Sequence, residues 1–418
     1  MGAVSVREQE RMMQRRGRKG GVLCGLMGLL LLVGCGGDSA PSGQDGSDGG
    51  RPFQGVTDTE VVLGAHTDLS GPIAIWGVES MNGLRMRFEE VNEAGGVHGR
   101  QIRFVVEDTQ YQVPKAISAG NKLINRDKIF AMVLALGTQT NNAVLTQQLE
   151  AGVPNLFPLT GARSMNEPYH DLKFTQRGIY YDEVQAAVAY FINERQKQSV
   201  CVIHHDSEYG AEIYDAVEDQ LASMNMAIVA SSAHKPTETE FTASILKLRN
   251  AGCDVVFLAT VHRDSILIFE TARKLGWDDV DFVGQNAAYG KVIAEVPSGA
   301  SEGYYCFAHL AAPYIEDELP AAARAWWDRY EARYGEAPDI VAMESYRAAD
   351  LVVLALENAG QELSMDSFIA GMEAITDYSD AFGYKVSFGP GDHQGVSESV
   401  LSVVKDGRWQ TVEQSVSY

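Results

Sequence analysis

Few residues in this chain of 418 are spaced for catalysis. Gly284–Lys291, GQNAAYGK, comes near a phosphate-cradling loop. It has five residues between its glycines where that loop has four, and Val292 stands where a hydroxyl is needed. No G-x-G-x-x-G follows a strand pattern, and neither a G-x-S-x-G elbow nor an H-E-x-x-H motif occurs. His204-His205-Asp206 offers ligand atoms, but adjacent strand residues point to opposite faces, so His204 and His205 would not converge on one ion. A strand end entering a loop is the simpler reading. No C-x-x-C pair or Cys/His cluster suggests metal. No catalytic step, cofactor or metal is therefore expected. Binding has better support. Trp76 stands among Ser70, Gly71, Pro72 and Gly77 and reads as a loop residue, either a cleft wall or a buried core ring. Gly137-Thr138-Gln139-Thr140 leads from a strand into a helix. A hydroxyl and free backbone N–H groups there make a ready site for a carboxylate, whichever threonine caps the helix. Tyr209 opens a helix, either as a surface residue or as a binding group.

The apolar periodicities supply a frame for these residues. Val61–Ala65 reads as a buried strand, and Thr67–Gly77, punctuated by Ser70-Gly71-Pro72, as a long loop. A helix follows with Met81, Leu84, Phe88 and Val91 on one face. Gly95 and Gly96 stop it, and Ile102–Val106 is the next strand. Further strands are predicted over residues 130–136, 200–204, 227–230, 254–259 and 280–284. Helices are predicted over 115–125, 143–150, 182–195, 211–224, 238–250 and 264–275. Thr237 with Glu240 reads as a capping box for the helix whose core face is Phe241, Ile245 and Leu248. Such alternation means parallel sheets with helices on both faces. It runs once to about Phe157 and again from Val200, which suggests two similar doubly wound lobes. Residues 172–178, with neither period, read as a crossing between them. Ligands of open α/β sheets sit at the carboxyl edge, where the long loop lies.

Several motifs occur in a telling order. They are Ser70-Gly71-Pro72, Trp76-Gly77, Asn82-Gly83, NEAGGVHGR followed by VVEDTQ, AGVPNLFP, HDSEYG and FTASILKLRNAGCDVVFLAT. Together they resemble the leucine/isoleucine/valine-binding proteins, the type I periplasmic solute receptors of ABC transporters, over most of the chain after about Val56. The resemblance implies an α/β, type I periplasmic-binding-protein fold: two doubly wound parallel-sheet lobes joined by a three-strand hinge. It implies later crossings near residues 303–307 and 384–388, first-lobe helices over 321–334 and 341–359, and a late second-lobe strand over 399–404. The corresponding division is 1–34 signal peptide, 35–56 lipidated cysteine and linker, 57–176 plus 308–384 lobe 1, and 177–307 plus 385–418 lobe 2. The implied site comprises Trp76 as an aromatic wall, Gly137 and Thr138 with the turn at Thr160 and Ala162 for a carboxylate, and Tyr209, His262 and Asn286 from the second lobe. Asn286 departs from the family, which pairs the ligand's ammonium with a glutamate there. Either Asp182, Glu183 or Asp264 substitutes for it, or the ligand has no ammonium; we favour the second. The candidate ligands are an amino acid held otherwise, an amide, and a short or aromatic carboxylic acid.

Residues 1–34 read as a lipoprotein export signal. Arg15, Arg16, Arg18 and Lys19 precede an apolar run, Val22–Val33, too short to span a bilayer. It ends in Leu32-Val33-Gly34-Cys35, which resembles a lipobox, so Cys35 is expected to carry the lipid anchor. Residues 36–50 are Gly-, Ser- and Asp-rich and read as a flexible tether. The chain has a formal charge of −22. The first 34 residues hold six of its 34 basic and two of its 56 acidic groups, leaving 28 against 54, a net of −26. Nucleic acid is an unsuitable partner at that charge. Cys201, Cys253 and Cys306 read as buried small hydrophobes, with a Cys201–Cys253 disulfide left open. The function expected is a lipid-anchored receptor in the cell envelope that passes a small-molecule ligand to an ABC permease. The alternative is a ligand sensor of the same fold feeding a signalling partner.

Overall fold

The computed structural model describes residues 53–417. The expected signal segment, Cys35 and the Gly-rich tether lie outside them. Among the described residues no helix is long and apolar enough to cross a membrane.

The first sheet is built around β1 (Glu60–Thr67), buried at seven of its eight positions. Both of its faces are covered, so its apolar run need not alternate with polar residues. It pairs in parallel with β2 (Gln101–Asp108) and β3 (Ala131–Val133). β4 (Asn155–Leu156) and β5 (Lys173–Phe174) complete the order β2-β1-β3-β4-β5. Successive β1 side chains go to opposite faces. Val61, Leu63 and Ala65 join one core with Leu84 and Phe88 of α1 (Ala74–Glu93). Val62 joins the other, with Leu123 of α2 (Val113–Asn125) and Val144 of α3 (Thr138–Glu150).

After a crossing at residues 175–179 the pattern repeats. α4 (Tyr180–Asn193), β6 (Val200–His205), α5 (Glu208–Ser223), β7 (Ala230–His234), α6 (Thr242–Asn250), β8 (Val255–Ala259), α7 (His262–Lys274), β9 (Asp281–Gly284), the short α8 (Lys291–Ala294) and β10 (Tyr305–Ala308) follow in turn. The chain then returns as α9 (Ala321–Tyr334), α10 (Ile340–Ala359), α11 (Met365–Glu373) and the small β11–β12 pair (Tyr378–Ser379 with Lys385–Val386). It finishes as the hairpin β13 (Glu398–Lys405) and β14 (Arg408–Ser417). The second sheet has the order β14-β13-β10-β9-β8-β6-β7, parallel except at the late hairpin. Its parallel part, β7-β6-β8-β9-β10, repeats the first sheet's order. Each lobe therefore has a strand-order reversal, between β1 and β3 and between β6 and β8, where a crevice opens at the carboxyl ends.

Several expectations need correction. The loop after β1 ends at Ile73, so Trp76 and Gly77 lie in the first turn of α1. A Cβ on Gly77 would stand 1.8 Å from the Asp68 carbonyl oxygen; the helix starts that close to the strand because glycine is there. The Thr237/Glu240 capping box does not form, because α6 begins at Thr242 with Phe241 as its N-cap. β7 begins where residues 227–230 were expected to end. Val386 and Phe388 pack in the first core beside Phe157 and Phe174. The last passage to the second sheet thus follows them, beyond the expected 384–388. Trp326, Trp327 and Tyr330 of α9 lie in a core with second-sheet residues, while its Arg329 and Tyr334 reach Glu90 and Asn82 of α1. α9 thus serves both lobes. Cys201 and Cys253 form a disulfide, against the reading as separate small hydrophobes, and only Cys306 fits that reading.

Candidate functional site

The crevices of the two sheets face each other across a small, partly open cavity of about 30 Å³. Its wall from the first lobe is made by chain ends that leave the sheet. Trp76 follows β1, Tyr111 follows β2, Gly137 and Thr138 follow β3, and Thr160 follows β4. From the second lobe come Tyr180 at the start of α4, Tyr209 in the first turn of α5 after β6, and Val261 after β8. Among the described residues, Arg177, on the first crossing, is the one charged residue on the wall, and no carboxylate lines it.

The hydroxyl side is built by backbone conformation. Gly137 has φ +92°, and a Cβ there would lie 2.3 Å from the Tyr111 ring. Glycine thus allows the chain to turn sharply into α3. No side chain caps this helix. Thr140 turns back to the Leu136 carbonyl, and Thr138 Oγ1 lies 2.7 Å from Thr160 Oγ1. The two hydroxyls and the start of α3 thus lie together at the cavity wall. Ala162 donates its N–H to Thr160 Oγ1 at 3.3 Å but does not line the cavity.

The aromatic side is packed rather than loose. Trp76, 6% exposed, stacks on His262 with ring centroids 5.0 Å apart. Trp76 is thus buried as a core ring is, and it also lines the cavity. His262 stands behind it, off the cavity wall, its imidazole lowered to about 4 by burial. Tyr209 sits edge-on to Tyr180 at 5.4 Å and donates to the Thr260 carbonyl at 2.9 Å.

Asn286 is placed differently from the expectation. It is buried in a short 3₁₀ turn, residues 286–288, and its polar atoms are committed inside the protein. Its Oδ1 accepts from Arg177 Nη1 at 3.0 Å, and its Nδ2 donates to Glu183 Oε2 at 2.8 Å. Arg177 also makes a two-pronged pair with Glu344 of α10, both contacts 2.5 Å, and its guanidinium lies 5.0 Å from the Trp76 ring. Burial works against the Glu344 charge, but Arg177 above all, with His309, holds its carboxyl below the usual range. Glu183 is the opposite case. Burial pushes it up to about 8, which the bonds from Ser399 and Asn286 do not offset. Of the three acids proposed to replace the family glutamate, Glu183 stands behind Asn286, Asp264 lies near His205, and none lines the cavity.

Sequence reasoning missed Arg177, Glu344, Tyr111 and Tyr180. One signal was available: Glu344 directly follows the apolar run Ile340–Met343 and precedes Ala348, Ala349 and Leu351–Val353 on the same helix. A charged residue at a core position of a helix needs a buried partner, and Arg177 in the non-periodic crossing is a candidate for it.

In comparison with known proteins, the family model described as periplasmic binding protein matches residues 60–408. The leucine-, isoleucine-, valine-, threonine- and alanine-binding protein of Pseudomonas aeruginosa is 26% identical over 295 residues, 70% of this chain and 77% of that protein. A fatty acid ABC transporter substrate-binding protein from Thermomonospora curvata has a TM-score of 0.78 at 21% identity, covering 89% of this chain and 96% of that one. A branched chain amino acid ABC transporter protein from Thermus thermophilus with bound valine has a TM-score of 0.77 at 18% identity, covering 86% and 97%.

Proposed function

We propose, from the premise that this chain belongs to the periplasmic binding protein family, that it is the receptor of an ABC importer for a small carboxylic acid lacking an ammonium group. The family binds solutes and is not enzymatic. The observation that supports the ligand class is the lining of the cavity: among the described residues its one charged side chain is Arg177, already balanced by Glu344 behind the wall, and no carboxylate lines it. A buried ammonium there would find no carboxylate on the wall to pair with, and an unpaired buried charge is costly. Glu344 is already engaged by Arg177, and burial favours the neutral form of Glu183. A carboxylate, in contrast, finds Thr138, Thr160 and the start of α3, while the four rings Trp76, Tyr111, Tyr180 and Tyr209 suit an apolar or aromatic body.

With this reading go the lobe division near residues 57–176 and 177–307, extended as far as the late crossing, and hinge closure over the ligand. Anchoring through a lipid on Cys35 and docking of the closed lobes on a permease complete it. The test is a thermal-shift screen of branched and aromatic carboxylic acids, their amino acid counterparts and simple amides. A ligand that binds only the folded state raises the melting temperature. Acids are expected to raise it and the amino acids to leave it unchanged. A shift with amino acids or amides alone would reject the proposed ligand class.

A further inference from the structure

At the carboxyl edge of the second sheet, beside the cavity but not on its wall, three buried side chains converge. His205 ends β6 and His234 ends β7, and the two are register partners in the parallel pair. Partnered residues of neighbouring strands project to the same face, which brings the two imidazoles to a ring separation of 5.1 Å. Asp264, in the first turn of α7 after β8, reaches the same point. Its Oδ2 lies 3.7 Å from His205 Nε2, and one ligand atom from each of the three residues lies within 4.8 Å of the others. His205, His234 and Asp264 are 2%, 5% and 0% exposed.

The hydrogen bonds around this group leave two acceptor atoms, one on His234 and one on Asp264, without a donor. His234 Nδ1 lies 3.1 Å from the Lys235 carbonyl oxygen. A carbonyl can only accept, so Nδ1 carries the proton and Nε2 presents its lone pair. That Nε2 has no hydrogen-bond partner, and neither has Asp264 Oδ2. His205 Nδ1 is held by Ser207 Oγ at 3.3 Å. Arg263 takes the other Asp264 oxygen, with Nε at 2.9 Å and Nη2 at 2.5 Å, and fixes the carboxylate through the Pro236 carbonyl at 2.7 Å. Each prospective ligand thus has a further partner that orients it, as residues that bind metals do. Burial also disfavours the protonated form of both imidazoles.

We propose that His205, His234 and Asp264 form a site for a divalent transition-metal ion, zinc in the first instance, held through two imidazole nitrogens and one carboxylate oxygen. Two nitrogens and one oxygen suit zinc and its neighbours rather than calcium or magnesium, which prefer oxygen alone. A tetrahedral zinc site needs ligand atoms about 3.3 Å apart, so the ligand atoms, now within 4.8 Å of one another, must draw together around the ion through side-chain rotation. The adjacent His204 takes no part: it faces Tyr214 on the other side of the strand. The His204-His205-Asp206 run was set aside as a metal site because neighbouring strand residues diverge. The partners of His205 are instead supplied by two other strand ends. An ion here would clamp the segments that carry Tyr209 and Val261 to the cavity, independently of which solute binds there.

The test is calorimetric titration of the full chain, stripped by chelator and dialysed, with Zn²⁺ alone. One saturable site per chain is expected, unaffected by excess Ca²⁺, with a raised melting temperature. Co²⁺ in its place should give the visible absorption of a low-symmetry nitrogen-and-oxygen site. His234→Gln and Asp264→Asn should each abolish the site while the unliganded chain keeps its far-UV circular dichroism. Absence of saturable Zn²⁺ binding by the unaltered chain would overturn the proposal, whether or not the variants fold. So would Zn²⁺ binding that persists in both variants, because the many surface carboxylates would then be its source.

Discussion

At the scale of the residue, the site is governed by one buried charge relay. Arg177 is tied to Glu344 and Asn286, and Asn286 to Glu183. Removing either end of the Arg177–Glu344 pair would strand a charge in the interior, a loss of about 3–5 kcal/mol in comparable pairs. Asn286 in this network is a connector that donates to one residue and accepts from another, a task an ionised glutamate cannot perform toward Glu183. The Glu183 carboxyl, held at about 8 by burial, is mostly protonated in the folded chain at neutral pH. In the unfolded chain it titrates near about 4.3. The folded state therefore binds more protons between those values. The stability contributed by Glu183 is full below the unfolded pKa and is lost as pH rises through about 8. Glu183→Gln removes this term. Glu79 and Glu212 are also raised, to about 8 and about 7, so the informative quantity is the difference between the parent and the variant. Urea unfolding at several pH values should show the parent losing stability relative to Glu183→Gln from pH 5 to pH 8, by up to a few kcal/mol. A pH-independent difference would mean that Glu183 ionises normally.

At the scale of the element, the Cys201–Cys253 disulfide joins the start of β6 to the turn before β8, closing a loop of 52 residues in sequence separation. Restricting the unfolded chain over such a loop is worth about 4 kcal/mol in the chain-entropy treatment. Cys253→Ser should therefore lower the unfolding free energy by about 2–5 kcal/mol, read by urea titration. An unchanged midpoint would show that the two thiols are separate in solution. The bond also shows how far the sequence could be read. The alternation of strands and helices and the positions of β1 and β8 follow from local periodicity, because each element's own apolar pattern reports its burial, whereas α9 and α10 are expected only from the family resemblance. The disulfide, the Arg177–Glu344 pair and the meeting of His205 with His234 join residues 29 to 167 positions apart. No local pattern reports such pairings; they depend on strand order and register. Trp76 was misplaced for a related reason. Its turn-rich surroundings suggested a loop, yet Asp68 accepts N–H bonds from Ser70, Gly71 and Ile73. That compact turn leaves the helix free to begin at Ala74.

At the scale of the whole molecule, the lobes meet across the cavity. The Arg163 N–H of the first lobe donates to Glu212 of α5 at 2.9 Å, and its guanidinium lies 3.8 Å from the Tyr181 ring of α4. Behind the cavity, the first crossing contributes Gln176 and Arg177, the second contributes His309, and α10 contributes Glu344 and Arg347. The crossings thus converge on one helix, a geometry suited to a pivot. A cavity of about 30 Å³ has room for a water or two, so an organic acid can enter only if the lobes part. Small-angle scattering should therefore give the free protein a larger radius of gyration than this arrangement, shrinking toward it as an acid ligand saturates. A radius that is the same with and without ligand would mean a rigid cleft. The ligand class itself is tested most directly by calorimetry with leucine and its deaminated 2-oxo analogue, two molecules that share a carboxylate and a branched apolar body. With Arg177 as the wall's lone charge and Asn286 in place of an acid, the 2-oxo acid should bind and leucine should bind at least about a hundredfold more weakly, the cost of a few kcal/mol for an unpaired charge. Submicromolar leucine binding with none by the 2-oxo acid would contradict the account.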